Sequence, residues 1–185
     1  MRQPQILALM LLIGGCASAP TRYFELTPGA DSAVVPNPHN RAYVVVLRAL
    51  PELVDRPQLV VEEPDGEVRI LQHERWAAPL HDQVEQVLVR DLRAALGTEN
   101  VDHEPRLVTG TDPLIITIEI ERFAVHTSEV VVAARWQWHA ADGAVMVKTG
   151  TFSQPLASHA PVAFAQGWSH ALADMGVRIA GSLTE

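Results

Sequence analysis

Residues 130–147 read VVVAARWQWHAADGAVMV. Val130, Val132, Ala134, Trp136 and Trp138 fall on one side of an extended chain, and Arg135, Gln137 and His139 on the other. Alternation with a period of two describes a strand with one buried and one wetted face. The paired tryptophans belong to a sheet core under a helix rather than to a ligand-stacking platform. Asp142-Gly143 has the composition of a two-residue hairpin turn. With those two residues at the turn, Ala141 opposes Ala144, Trp138 opposes Val147 and Trp136 opposes Thr149. The Trp face then continues through Val145 and Val147, so turn and pattern agree on one register.

Other segments extend this reading in both directions. Leu114, Ile116, Ile118 and Ile120 alternate with positions that include Thr117 and Glu119, and predict another half-buried strand. Tyr43 to Leu47 is a β-branched run that suits a buried strand. Gln58–Glu62 and Glu67–Leu71 flank Pro64-Asp65-Gly66 and predict a hairpin with an acidic, solvated tip. Residues 79–96 follow helical spacing, with Pro79 at the start and Gly97 at the stop. In that helix only Asp91 interrupts the apolar stripe, and it is expected at the stripe's edge. From Pro161, the residues Val162, Ala165, Trp168, Leu172, Met175, Ile179 and Leu183 recur at three- and four-residue intervals. That is one apolar stripe along a second helix. Together these elements predict a single α+β domain, with two amphipathic helices packed on one face of a mainly antiparallel sheet.

Composition narrows the function. The chain has 185 residues, 48% hydrophobic and 19% charged, which excludes intrinsic disorder. Its net charge is −8 with no cluster of Lys and Arg, so a nucleic-acid partner is not expected. One Cys excludes an internal disulfide framework and a Cys-rich zinc site. The nearest thing to a nucleophile elbow, Gly167-Trp168-Ser169-His170-Ala171, falls inside a predicted helix rather than at a strand–turn–helix corner. The eight His residues are scattered, and Asp102-His103-Glu104 would diverge along a strand. No catalytic group, metal or cofactor is expected.

That single Cys closes an N-terminal segment, MRQPQILALMLLIGGC. Arg2 supplies a positive n-region, and Ile6 to Ile13 is an apolar run of eight residues. A membrane-spanning helix needs about 20 apolar residues, so this run has the size of a signal-peptide core. Leu12-Ile13-Gly14-Gly15-Cys16 resembles the lipobox of bacterial lipoproteins, in which the Cys thiol receives diacylglycerol. Residues 1–15 are thus expected to be a signal peptide, 16–22 the lipidated Cys16 and a short tether, and 23–185 the folded domain. Two or more acyl chains anchor a protein stably without a spanning helix. Ala17 in place of Asp points, by resemblance to diderm lipoproteins, to the periplasmic face of the outer membrane. Six residues of tether reach about 20 Å, which keeps the domain near the membrane.

From Thr149 to Ala173 there are 25 residues without a formal charge. The off-stripe side of the last helix carries Ala163, Gln166, Gly167, Ser169, His170 and Ala173. Small uncharged residues there suit either plain surface or a close-packed interface with another subunit or partner. Ala163, Gln166, Ser169 and His170 are therefore candidate contacts, and a homo-oligomer is expected.

Leu50-Pro51-Glu52-Leu53-Val54-Asp55-Arg56-Pro57-Gln58-Leu59-Val60 resembles the signature of the PqiC/YmbA family, the ABC-type transport auxiliary lipoproteins. Glu74-Arg75-Trp76-Ala77-Ala78-Pro79-Leu80 resembles that family's entry into its first helix. The lipobox and Tyr23-Phe24-Glu25-Leu26 fit as well. Leu53 stands where an aromatic is common, and Ala78 where Glu is common. The resemblance implies a non-enzymatic periplasmic lipoprotein that docks a tube-like MCE-domain protein of an intermembrane lipid transport system at the outer membrane. Asp55 and Arg56 are read either as a local ion pair or as a partner contact, and Trp76 either as a core anchor or as a binding aromatic. An assembly lipoprotein of a pilus, flagellum or lipopolysaccharide exporter stays open beside this reading, as does a periplasmic hydrolase.

Cys16→Ser is expected to leave an unprocessed precursor that takes up no labelled fatty acid in growing cells. Label retained by that variant overturns the lipoprotein reading.

Overall fold

The computed structural model describes residues 19–29, 41–62, 66–110, 112–126 and 128–183. The signal segment, Cys16 and the 63–65 hairpin tip lie outside these residues. β1 (Arg22–Phe24), β2 (Tyr43–Ala49), β3 (Gln58–Glu62) and β4 (Val68–Trp76) lead into helix α1 (Leu80–Leu96). β5 (Val101–Asp102), β6 (Leu114–His126), β7 (Glu129–His139) and β8 (Val145–Pro155) lead into α2 (Pro161–Ser182). The strands form one open eight-stranded sheet. Its longest ladders, β6–β7 and β7–β8, are antiparallel, while β2 runs parallel to β6. The α+β class read from the pattern is the class observed. Both helices contribute to one apolar core, with α2 over β7 and β8 and α1 over β2.

The alternation predicted for β6 holds through Ile120 and then reverses. The β6–β7 ladder shifts between Ile120 and Arg122, leaving Glu121 without a partner in the pairing. A one-residue bulge moves the following side chains to the opposite face. The core side accordingly passes from Leu114, Ile116, Ile118 and Ile120 to Phe123 and Val125. The bulge thus turns Phe123 under α2.

The β7–β8 hairpin has a different register from the one expected. Trp138 opposes Met146, and Trp136 opposes Lys148. Ala140 N–H donates to Ala144 O, and Gly143 N–H to Ala140 O, both at 2.9 Å. The loop is therefore the three residues Ala141–Gly143, not two. Gly143 has φ 83°, and Asp142 Oδ1 accepts from Ala144 N–H at 2.9 Å. A turn closed by a left-handed glycine is the usual three-residue form. The one-residue slip puts Val145 and Val147 on the solvent side, 54% and 42% exposed. The Trp side continues instead through Met146 and Phe152.

Helix α1 stops where Gly97 adopts φ 61°, its N–H donating to Ala94 O. A left-handed glycine closes a helix without steric penalty. Arg93, in the last turn, donates from Nε to Val101 O at 2.8 Å and pairs through Nη2 with Asp102 at 2.9 Å. These bonds hold β5 to the end of α1. Helix α2 lies close to the sheet because Gly167 has no side chain. A Cβ there would sit 2.8 Å from Val130 Cγ2.

The centre of the core is aromatic. Trp168 stacks on Phe123 with ring centres 4.7 Å apart at 16°, and meets Trp76 at 5.6 Å and Phe164 at 6.5 Å. Large-to-small changes at such sites lose both transfer free energy and packing. Trp168→Ala is expected to lower stability by about 3–5 kcal/mol in urea unfolding. An unchanged midpoint overturns the placement of this ring at the core centre.

Candidate functional site

Two segments that carry the family resemblance meet at the surface. The first, Pro51–Pro57, is an irregular loop tied by its own backbone. Val54 N–H and Asp55 N–H both donate to Pro51 O, at 3.0 and 3.1 Å, and Val54 plugs the core. The second, Trp76–Leu80, leaves β4 and enters α1. Trp76 N–H donates to Pro57 O at 2.8 Å, and Ala77 N–H to Phe24 O at 2.9 Å. The parallel pairing of Phe24 with Trp76 supplies the latter bond. Between Asp55–Pro57 and Trp76–Leu80 lies a cavity of about 340 Å³.

The cavity is mostly apolar, with charge at one side. Trp76, 5% exposed, and Leu80, 1% exposed, close its floor. Ala77, Ala78 and Pro79 form an exposed wall. Trp76 is thus a core residue that also borders the surface. Asp55 is exposed and Arg56 half-buried, and among the described residues neither side chain makes an ion pair. The loop is held by backbone bonds and Val54, not by an Asp55–Arg56 pair. Arg56 Nε is buried and has no hydrogen-bond partner among the described residues.

A second polar feature crosses the helices. Leu26 N–H donates to Gln83 Oε1 at 2.9 Å, Thr27 N–H to Ser169 Oγ at 3.0 Å and Gly29 N–H to Asp91 Oδ1 at 2.8 Å. The stretch after β1 is thereby strapped across α1 and α2. Gly29 sits flush on α2, where an added Cβ would lie 2.4 Å from Ala173 Cβ. Asp91 is 0% exposed, not at the edge of its stripe. Gly176 leaves room for it, since a Cβ there would come within 3.1 Å of Asp91 Cβ. Burial pushes its carboxyl up to about 7, against the downward pull of the Gly29 hydrogen bond, and among the described residues Oδ2 has no partner. A lone acid in an apolar stripe was the only trace of this strap in the sequence.

The strap and the sheet use much of the off-stripe side of α2. Ala163 and Ser169 are buried within the chain, while Gln166 and His170 are exposed. Ser169 Oγ accepts from Thr27 N–H and donates to Ala165 O at 2.8 Å, so it is engaged as a structural hydroxyl. Trp136 Nε1 donates to Ser182 Oγ at 3.0 Å and ties the end of α2 to β7. Asp102, His103 and Glu104 do not diverge: His103 Nδ1 lies 3.1 Å from Asp102 Oδ1 and its Nε2 lies 4.0 Å from Glu104 Oε1. Among the described residues no group of three His, Cys, Asp or Glu is placed to hold a metal ion. Nor is any described helix long and apolar enough to cross a membrane.

Residues 24–180 match the family model described as ABC-type transport auxiliary lipoprotein component. No curated protein matches the chain. Among solved structures, an uncharacterised protein superposes with a TM-score of 0.76 at 19% identity, over 89% of this chain and 99% of its own. A DUF330 protein from Xanthomonas campestris superposes with a TM-score of 0.65 at 19% identity, over 86% of this chain and 93% of its own. At these identities the two structures show a shared fold.

Asp91 makes stability depend on pH with a definite sign. Its folded value, about 7, lies above the ordinary 3.8, so the folded state retains a proton that the unfolded chain releases. This contribution is largest at low pH and is lost as pH rises through that window. Its full size is on the order of 4 kcal/mol. Asp91→Asn keeps an acceptor for Gly29 and removes the titration. The stability difference between wild type and Asp91→Asn is expected to shift steadily against the wild type from pH 4 to 8 in denaturant titrations. A difference independent of pH overturns the assignment.

Proposed function

The chain belongs to the family of ABC-type transport auxiliary lipoprotein components, and from that premise we propose an outer-membrane role in intermembrane lipid transport. In this reading Cys16 carries the lipid anchor, and the folded domain stands on the periplasmic face. There it docks an MCE-domain protein, the conduit subunit of the transport system, and does no chemistry of its own. The family match over 24–180 is the observation that carries the proposal. The cavity where Asp55–Pro57 meets Trp76–Leu80 supports it, because it offers a recognition surface without a nucleophile–base pair.

The proposal includes a homo-oligomer. β8 is an eleven-residue strand whose ladder is made with β7 alone among the described residues. An open edge of that length presents a row of backbone donors and acceptors suited to pairing between chains. Lys148 is the one charged residue along β8, so little charge opposes such pairing.

The test combines light scattering with capture of a co-expressed MCE-domain protein from the same genome. Expected are an oligomer and co-purification of that protein. A protein that stays monomeric at high concentration and ignores the MCE-domain protein overturns the proposal.

A further inference from the structure

We infer that the cavity between Asp55–Pro57 and Trp76–Leu80 receives an acidic segment of the partner protein. A carboxylate pairs with Arg56, and the adjoining bulky apolar side chain rests against Trp76 and Pro79. The inference deepens the docking reading above and rests on it.

Arg56 borders the cavity and is only half-buried, and among the described residues its guanidinium has no acceptor. A guanidinium left without an acceptor readily takes one from a partner. Here the chain's nearest carboxylate in sequence, Asp55, points to no pair with it, and the cavity beside Arg56 is open. An external acceptor completes the site. Guanidinium groups favour carboxylates because the two planar forks match.

The walls choose the rest of the occupant. Trp76, Pro79 and Leu80 present apolar surface, and the exposed Ala77 and Ala78 leave the mouth unobstructed. Arginine and tryptophan bordering one pocket are the usual anchors of a protein interface. The buried Trp76 and Leu80 close the floor, so no path continues into the core. The volume of about 340 Å³ is at the small end for a ligand cavity and matches one or two side chains of a docked segment. Asp55 stands exposed at the rim, where water screens it.

The experiment uses the full chain in detergent, a co-expressed MCE-domain protein from the same genome, and overlapping peptides spanning that protein's periplasmic region. Wild type is expected to bind the protein and at least one peptide that carries Asp or Glu beside a bulky residue. Arg56→Glu and Ala78→Trp, the latter filling the cavity from an exposed position, are expected to weaken both by about tenfold or more. Asp55→Asn is expected to bind the acidic peptide at least as well as wild type, and the peptide's amide version to bind less well. Thermal melts confirm folding, and if Arg56→Glu melts early, Ala78→Trp decides alone. If wild type captures the MCE-domain protein and both variants capture it equally, the inference fails and the docking reading stands. If wild type captures neither protein nor peptide, both fail. If Arg56→Glu instead abolishes binding to vesicles of phosphatidylglycerol and phosphatidylethanolamine while peptides stay unbound, a membrane occupies the site and the inference is overturned.

Discussion

The stacking of Trp168 on Phe123 is the contact on which the rest of this fold depends. It joins the second helix to the central strand of the sheet at 4.7 Å. Three features must be in place for it. The bulge at Glu121 turns Phe123 inward, Gly167 lets α2 approach β7, and Trp76 at the end of β4 fills the remaining side of the ring. Trp76 also floors the surface cavity. Core and candidate site therefore share a residue, and the site's shape is set by packing rather than by loop chemistry. A cavity built this way is pre-organised, because its floor cannot move without disturbing the aromatic cluster.

Buried polarity in this protein is concentrated rather than scattered. Gln83, Asp91, Ser169 and Ser182 are the buried polar residues among those described. The first three accept the N–H groups of Leu26, Thr27 and Gly29, and the fourth accepts the indole N–H of Trp136. A segment without regular structure needs partners for its backbone, and here helix side chains supply them. The small residues of α2 have the same explanation. Ala173 and Gly176 make room for the strap and for Asp91. The off-stripe side of α2 suited either plain surface or an interface between molecules, yet Ala163, Gly167, Ser169 and Ala173 pack within one chain.

What the sequence revealed follows from how local each signal is. Alternation from Val130 to Trp138 was legible because β7 keeps one unbroken register with β8 and one face meets a helix. The continuation of β6 was not, because one unpaired residue reverses the alternation while leaving the composition unchanged. Asp142-Gly143 marked the hairpin correctly but not its length, since the same dipeptide serves two- and three-residue loops. The two segments of the candidate site stood out through their resemblance to a family. Their meeting did not, because it is made by long-range pairs, Phe24 with Trp76 and Trp76 N–H with Pro57 O. Asp91 was visible as an exception, but its partner lies 62 residues away.

The parallel pairing of β1 with β4 has a mechanical consequence. β1 is the first strand among the described residues, so tension applied to the N-terminal end enters the described fold through Arg22–Phe24. A pull along the strand shears the bonds to β4 together instead of peeling them one at a time. Beyond Phe24 the same tension is carried by the three side-chain bonds at Leu26, Thr27 and Gly29. One branch of this force path ends at the Ala77 N–H to Phe24 O bond, on the wall of the cavity. The point where tension arrives and the wall of the candidate site thus lie one hydrogen bond apart.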